Sequence, residues 1–216
     1  MTSGSDRLID GLVEDLEPVT PLLRVRQAFA VVLAVWAAVL GVVLWSQHDP
    51  TGAFPLFADG VYATTFVGLM IAALAATLSA LAAARPGREG LERLGLGLAA
   101  GALGVASVVC LVGLMSEGSL ASPPGADAMC LEKGVWLSLL PAGVVLSFLV
   151  RGWAAHPIRA ALIGLVAAGA LGGVIVHLSC DFIGHGHLLR GHMAVPLVLA
   201  VLGTFPAGVL IRRLRG

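Results

Sequence analysis

Charge is scarce in this sequence, and lysine is represented by Lys133 alone. Asp, Glu, Lys and Arg make up 12% of the 216 residues, where a soluble domain carries roughly one quarter. Six apolar runs hold no Asp, Glu, Lys, Arg or His: Ala28–Ser46, Gly60–Ala84, Leu94–Ser116, Gly134–Val150, Ala160–Val176 and Met193–Ile211. A helix crosses hydrocarbon with about 17 to 25 apolar residues, its backbone groups satisfied internally. The expected fold class is therefore all-α, a polytopic membrane protein of six transmembrane helices. Pumps and transporters place ionisable groups inside the bundle and often show repeated halves. Neither is present, which counts against a small metal transporter. There is also no Cys-x-x-Cys pair, and no run contains a His to ligate haem, which counts against a membrane thiol/disulfide redox protein and against an enzyme generally.

The few cations are sorted. Arg7, Arg24 and Arg26 precede the first run; Arg85, Arg88 and Arg93 follow the second; Arg151 and Arg159 follow the fourth; Arg212, Arg213 and Arg215 follow the sixth. The alternate loops carry only Lys133 and Arg190. The positive-inside rule then places both termini in the cytoplasm of a multi-pass protein, here of a bacterial inner membrane. The first 23 residues hold five acids and one Arg, a pattern unlike a cleavable signal, so the first run is expected to serve as an uncleaved anchor.

Two units are expected: a cytoplasmic head, residues 1–26, and a transmembrane unit, residues 27–216. Within the head, Leu8, Ile9, Leu12, Val13 and Leu16 follow the spacing of one helix face, and Pro18 and Pro21 stop the helix. A helix of about a dozen residues is marginal by itself in water. Its polar face is acidic (Asp10, Glu14, Asp15, Glu17), whereas helices that lie on membranes carry basic faces. A groove on a protein partner suits it better. Further along, Gly97/Gly101 and Gly169/Gly173 have the Gly-x-x-x-Gly spacing of closely packed membrane helices, and Pro141, Pro196 and Pro206 are expected to kink their helices.

Of three cysteines, Cys110 lies inside the third run and reads as a small apolar filler. Cys130 precedes the fourth run and Cys180 follows the fifth, so both fall on the outer face. They stand there as a disulfide, as two thiols, or as thiolate ligands. Around Cys180 gather His177, Asp181, His185, His187, Arg190 and His192. Imidazole with thiolate suits zinc, copper or nickel, and His177, Cys180, His185, His187 and His192 are the candidate metal ligands. The alternative is a wet interfacial loop, with His185 and His187 in a flexible turn about Gly186.

The head Leu8–Val19, Pro86 with Gly87, Cys130, Pro141, the segment Arg151–Pro157, the stretch ending in His177 and Cys180, and the closing Leu210–Arg215 occur in an order and topology that resembles the NrsF-type membrane anti-sigma factors. The resemblance spans most of the chain. It implies a six-span regulator that holds an extracytoplasmic-function sigma factor through its head, with Cys130 and Cys180 sensing stress and no direct contact with nucleic acid. Asp181 follows Cys180 where the family pattern has Pro, and a His-rich segment replaces an aromatic-rich one. The signal is thereby left open between metal, oxidant and light-generated oxidant.

Overall fold

The computed structural model describes residues 23–46, 54–117, 124–180 and 184–214, together with Gly11, Val13 and Phe182. The described residues contain helices and no strand. Among the described residues six helices are long and apolar enough to cross a membrane: α1 Val25–Ser46, α2 Gly60–Ala83, α3 Glu89–Glu117, α4 Ala126–Arg151, α5 Pro157–Leu178, and α6, the continuous helix His185–Arg213. A short 3₁₀ turn, Phe54–Ala58, precedes α2. Of the head residues expected to meet a partner, Val13 is helical and exposed. Leu8, Ile9, Leu12, Leu16 and Pro18 lie outside the described residues.

The innermost helix is α5, packed against α2, α4 and α6. It is built almost wholly of Ala, Gly, Leu, Val and Ile, and the small residues let its neighbours approach along the backbone. A Cβ on Gly169 would sit 2.5 Å from the Cα of Pro196 in α6. A Cβ on Gly173 would lie 3.1 Å from the His192 carbonyl oxygen. This pair therefore seats α6 on α5, as its spacing predicts. Gly97 and Gly101 behave differently. Nothing lies within 4 Å of a Cβ added at either, because the close contact between α2 and α3 is made instead at Gly68 against Ala106 and at Gly95 against Ser79.

The outer surface is apolar. Trp45, Val105, Val112, Met115, Leu140, Val201, Leu202 and Phe205 are all exposed, far more grease than a soluble monomer displays and suited to hydrocarbon. α2 has 24 residues, which at about 1.5 Å per residue span about 36 Å. Its two ends therefore mark two opposite ends of the bundle. Arg24, Arg26, Arg85 and Arg88 line one cavity at the first end. There, Arg159 of α5 pairs with Glu92 of α3 at 3.0 Å, and the Trp153 amide donates to the Ala84 carbonyl. The cysteines and histidines of the candidate site gather at the other end.

Three helices begin well before their apolar runs. α3 starts at Glu89, α4 at Ala126 and α6 at His185. The last two additions are polar turns, and they carry Asp127, Cys130, His187 and His192 into ordered helix. In α6 the turn Leu188–Met193 is π-helical. Pro196 supplies the cause: it has no N–H for the carbonyl of residue 192, and its ring crowds that carbonyl. The preceding turn widens to accommodate it.

Candidate sensor site

The site begins with two sulfurs. Cys130, on the first turns of α4, and Cys180, just past α5, are thiols whose Sγ atoms lie 3.3 Å apart. Cys180 is buried and Cys130 half-buried. The hydrogen bond shared with Cys130, and after it burial, raises the Cys180 thiol above its ordinary value. The Lys133 ammonium, one turn from Cys130, donates to Ser179 Oγ at 3.0 Å and draws the two segments together.

Two imidazoles face the sulfurs. His187 Nε2 lies 3.2 Å from Cys180 Sγ. Its other nitrogen, Nδ1, meets Asp127 Oδ1 at 2.7 Å, and Arg190 Nε donates to the second oxygen of the same carboxylate at 2.6 Å. His192 packs edge-on against both His187 and His177. Its Nδ1 lies 3.1 Å from His177 Nδ1, and His177 Nε2 lies 3.1 Å from the Tyr62 carbonyl. Tyr62 closes this chain, its hydroxyl donating to the His177 carbonyl and its ring lying tilted by 36° over the His177 ring with centroids 3.9 Å apart.

Burial overturns the picture of a wet loop. His177 and His192 are wholly inaccessible and His187 is 1% exposed. His185 and His187 do not flank a flexible turn: they lie on the first helical turn of α6, with Gly186 buried between them. The π-helical turn then decides which histidines share a face. Residues five apart on an α-helix point about 140° away from each other, whereas the wider i to i+5 turn of a π-helix narrows that angle and brings them nearer one face. His187 and His192 converge for that reason. Gly191 lets them close up, since a Cβ there would lie 3.2 Å from His187 Cε1 and 3.3 Å from Cys130 Cβ.

The candidate ligands separate into two groups. One donor atom from each of Cys130, Cys180, His187 and His192 lies within 4.8 Å of all the others, a set that could hold a metal ion. His177 stands one hydrogen bond behind His192. His185 turns away toward α2 and α3, with Nε2 3.7 Å from Asp59 Oδ2 and its ring where a side chain on Gly113 would be. Asp127 and Tyr62 hold the imidazoles, and neither is singled out by the sequence reading. Asp127 had a signal: three residues before Cys130 on one helix, it shares that residue's face. Tyr62 had none, being 115 residues away from its partner His177. Cys110 lies apart on α3, buried with its sulfur 3.0 Å from Thr65 Oγ1.

Residues 12–212 match the model of one protein family, NrsF, described as negative regulator of sigma F. The chain has no match among curated proteins or among solved structures.

Proposed function

Because the chain belongs to the NrsF family of negative regulators of sigma F, we propose that it is a membrane-bound anti-sigma factor with a sensor at the far end of its bundle. The head, residues 1–26, occupies an apolar groove on a sigma factor of the extracytoplasmic-function type through Leu8, Ile9, Leu12, Val13 and Leu16, with Pro18 ending the helix. Held at the membrane, the sigma factor is kept from core RNA polymerase. Both termini are cytoplasmic in this reading, supported by the sorting of arginines to one end of the bundle. The sulfurs then face the oxidising side of a bacterial inner membrane.

The observation that carries the sensor is the 3.3 Å approach of Cys130 Sγ to Cys180 Sγ. These atoms belong to α4 and to the segment joining α5 to α6, and one covalent bond between them changes how three helices meet. Hydrogen peroxide accomplishes it: the two thiol protons and two electrons pass to the peroxide, which leaves as two waters, and the sulfurs join. α5 runs from this pair to the arginine-rich end, where Arg159 grips Glu92 and from which the head departs. A shift of α5 against its neighbours is the bistable element that such a signal needs.

The head is tested by fractionation. In cells expressing the full chain, the sigma factor sediments with membranes and its promoter is silent. Removing residues 1–18 leaves the bundle in the membrane, moves the sigma factor to the soluble fraction and derepresses the promoter. Retention of the sigma factor by the shortened chain would refute the role given to the head.

A further inference from the structure

The hydrogen-bond chain around the sulfurs fixes which nitrogens carry protons. The Tyr62 carbonyl can only accept, so His177 Nε2 donates to it. In a neutral His177 ring, Nδ1 is then an acceptor, and His192 Nδ1 must donate to it. That leaves the lone pair on His192 Nε2, a fully buried atom with no hydrogen-bond partner among the described residues. The Asp127 carboxylate likewise accepts from His187 Nδ1, which in a neutral His187 ring leaves the Nε2 lone pair facing Cys180 Sγ. His187 therefore turns its Nε2 lone pair toward the Cys180 sulfur, and His192, whose Nε2 is left without a partner among the described residues, brings a ring nitrogen within 4.8 Å of both thiols. A buried polar atom left without a partner is costly, and two oriented lone pairs beside two sulfurs are what a thiophilic cation needs.

We propose that Cys130, Cys180, His187 and His192 bind one zinc ion as a tetrahedral site of two thiolates and two imidazoles. Zinc takes S ligands at about 2.3 Å and N ligands at about 2.0–2.1 Å, so the edges of its ligand tetrahedron run about 3.3 to 3.8 Å. The sulfur–sulfur and sulfur–nitrogen separations, 3.3 and 3.2 Å, need to open by only a few tenths of an ångström. Two thiolates cancel the charge of the ion, which suits a buried site near hydrocarbon. Asp127 is a positioning residue: a carboxylate on the remote nitrogen of a ligating histidine sets its tautomer and basicity, and Arg190 holds that carboxylate in turn. The closing of the π turn in α6 is what delivers both histidines from one helix.

The regulatory consequence rests on the function proposed above; the binding itself does not. The same two sulfurs cannot hold zinc and be joined to each other. Zinc thus accompanies the reduced pair, and oxidation by a peroxide joins the sulfurs with loss of the ion.

The test uses the full chain, reduced and purified in detergent, loaded with zinc and freed of excess. One zinc per chain is expected by elemental analysis. Cobalt in its place gives the visible absorption of a tetrahedral thiolate complex, and zinc protects two of the three thiols from maleimide. His192→Gln and Cys180→Ser each weaken binding at least tenfold; Asp127→Asn weakens it about 10- to 100-fold; His185→Gln, outside the four, changes nothing. Failure of the full chain to retain zinc or develop the cobalt spectrum would overturn the site, as would unaltered binding in Asp127→Asn and Cys180→Ser together. That failure is distinct from failure of the regulator, which is read separately in the cysteine dependence of sigma release.

Discussion

A chain carrying Cys130→Ser or Cys180→Ser holds its sigma factor through a peroxide challenge that frees it from the wild-type chain. Either single substitution is expected to act as completely as the double one, because one sulfur has no bond to make. The size of the effect follows from what the bond does. Joining the sulfurs draws them from 3.3 Å to about 2.05 Å, at a point where α4 meets the α5–α6 junction. Packed interiors respond to such a displacement by moving between discrete arrangements rather than by stretching. Moving a population from almost all bound to almost all released takes about 5 kcal/mol of difference between states. Induction of a sigma-dependent reporter is therefore expected to exceed about tenfold in the wild type and to be about onefold in each Ser variant. Induction that survives in both variants would remove the pair from the signal.

Gly169→Val is expected to be strongly damaging to the bundle. The added side chain meets backbone, with Cα of Pro196 at 2.5 Å, its N at 3.0 Å and the Val195 carbonyl oxygen at 3.2 Å from the new Cβ. None of these atoms can rotate aside, so α6 must move off α5. Overpacking typically costs about 1–3 kcal/mol, and contacts with backbone belong at the upper end or beyond. The displaced segment lies directly after the π turn, so His192 is expected to leave the sulfurs as the helix moves. Two readouts follow: unfolding at lower denaturant in mixed micelles, and a lowered yield of the Cys130–Cys180 disulfide under mild oxidation. Gly97→Val is the control. Nothing lies within 4 Å of a Cβ at Gly97, and its stability is expected to stay within about 0.5 kcal/mol of wild type. Equal stability for the two variants would contradict the packing of α6 on α5.

The six spans are legible in the sequence because an uncharged run of membrane length suits little besides a membrane helix, and the packing role of Gly169 and Gly173 follows from spacing. The same spacing misleads at Gly97 and Gly101, since a motif on one helix says nothing about which face meets a neighbour. At the cysteine-bearing end, the nearness of Cys130 to Cys180 depends on how the tops of three helices meet, which no local pattern encodes. Selection among the histidines is hidden for another reason. Counting along an ordinary helix separates His187 from His192 by well over a right angle, and only the widened turn ahead of Pro196 reunites them. That proline is plain in the sequence, but a proline within a span predicts a kink in the span, not a widening of the turn before it. Tyr62 and Asp127 come from other helices and illustrate the same limit.

The coupling between the two ends of the bundle is tested most directly by following the sigma factor itself. Membranes and soluble fraction are separated from the same cells before and after peroxide, and again after a thiol reductant, with the sigma factor quantified in each. The expected course is membrane-bound, then soluble, then membrane-bound once more, with the Cys130→Ser chain holding its partner throughout. A sigma factor that stays with the membrane while the Cys130–Cys180 disulfide forms in full would show that the sulfurs do not govern the head.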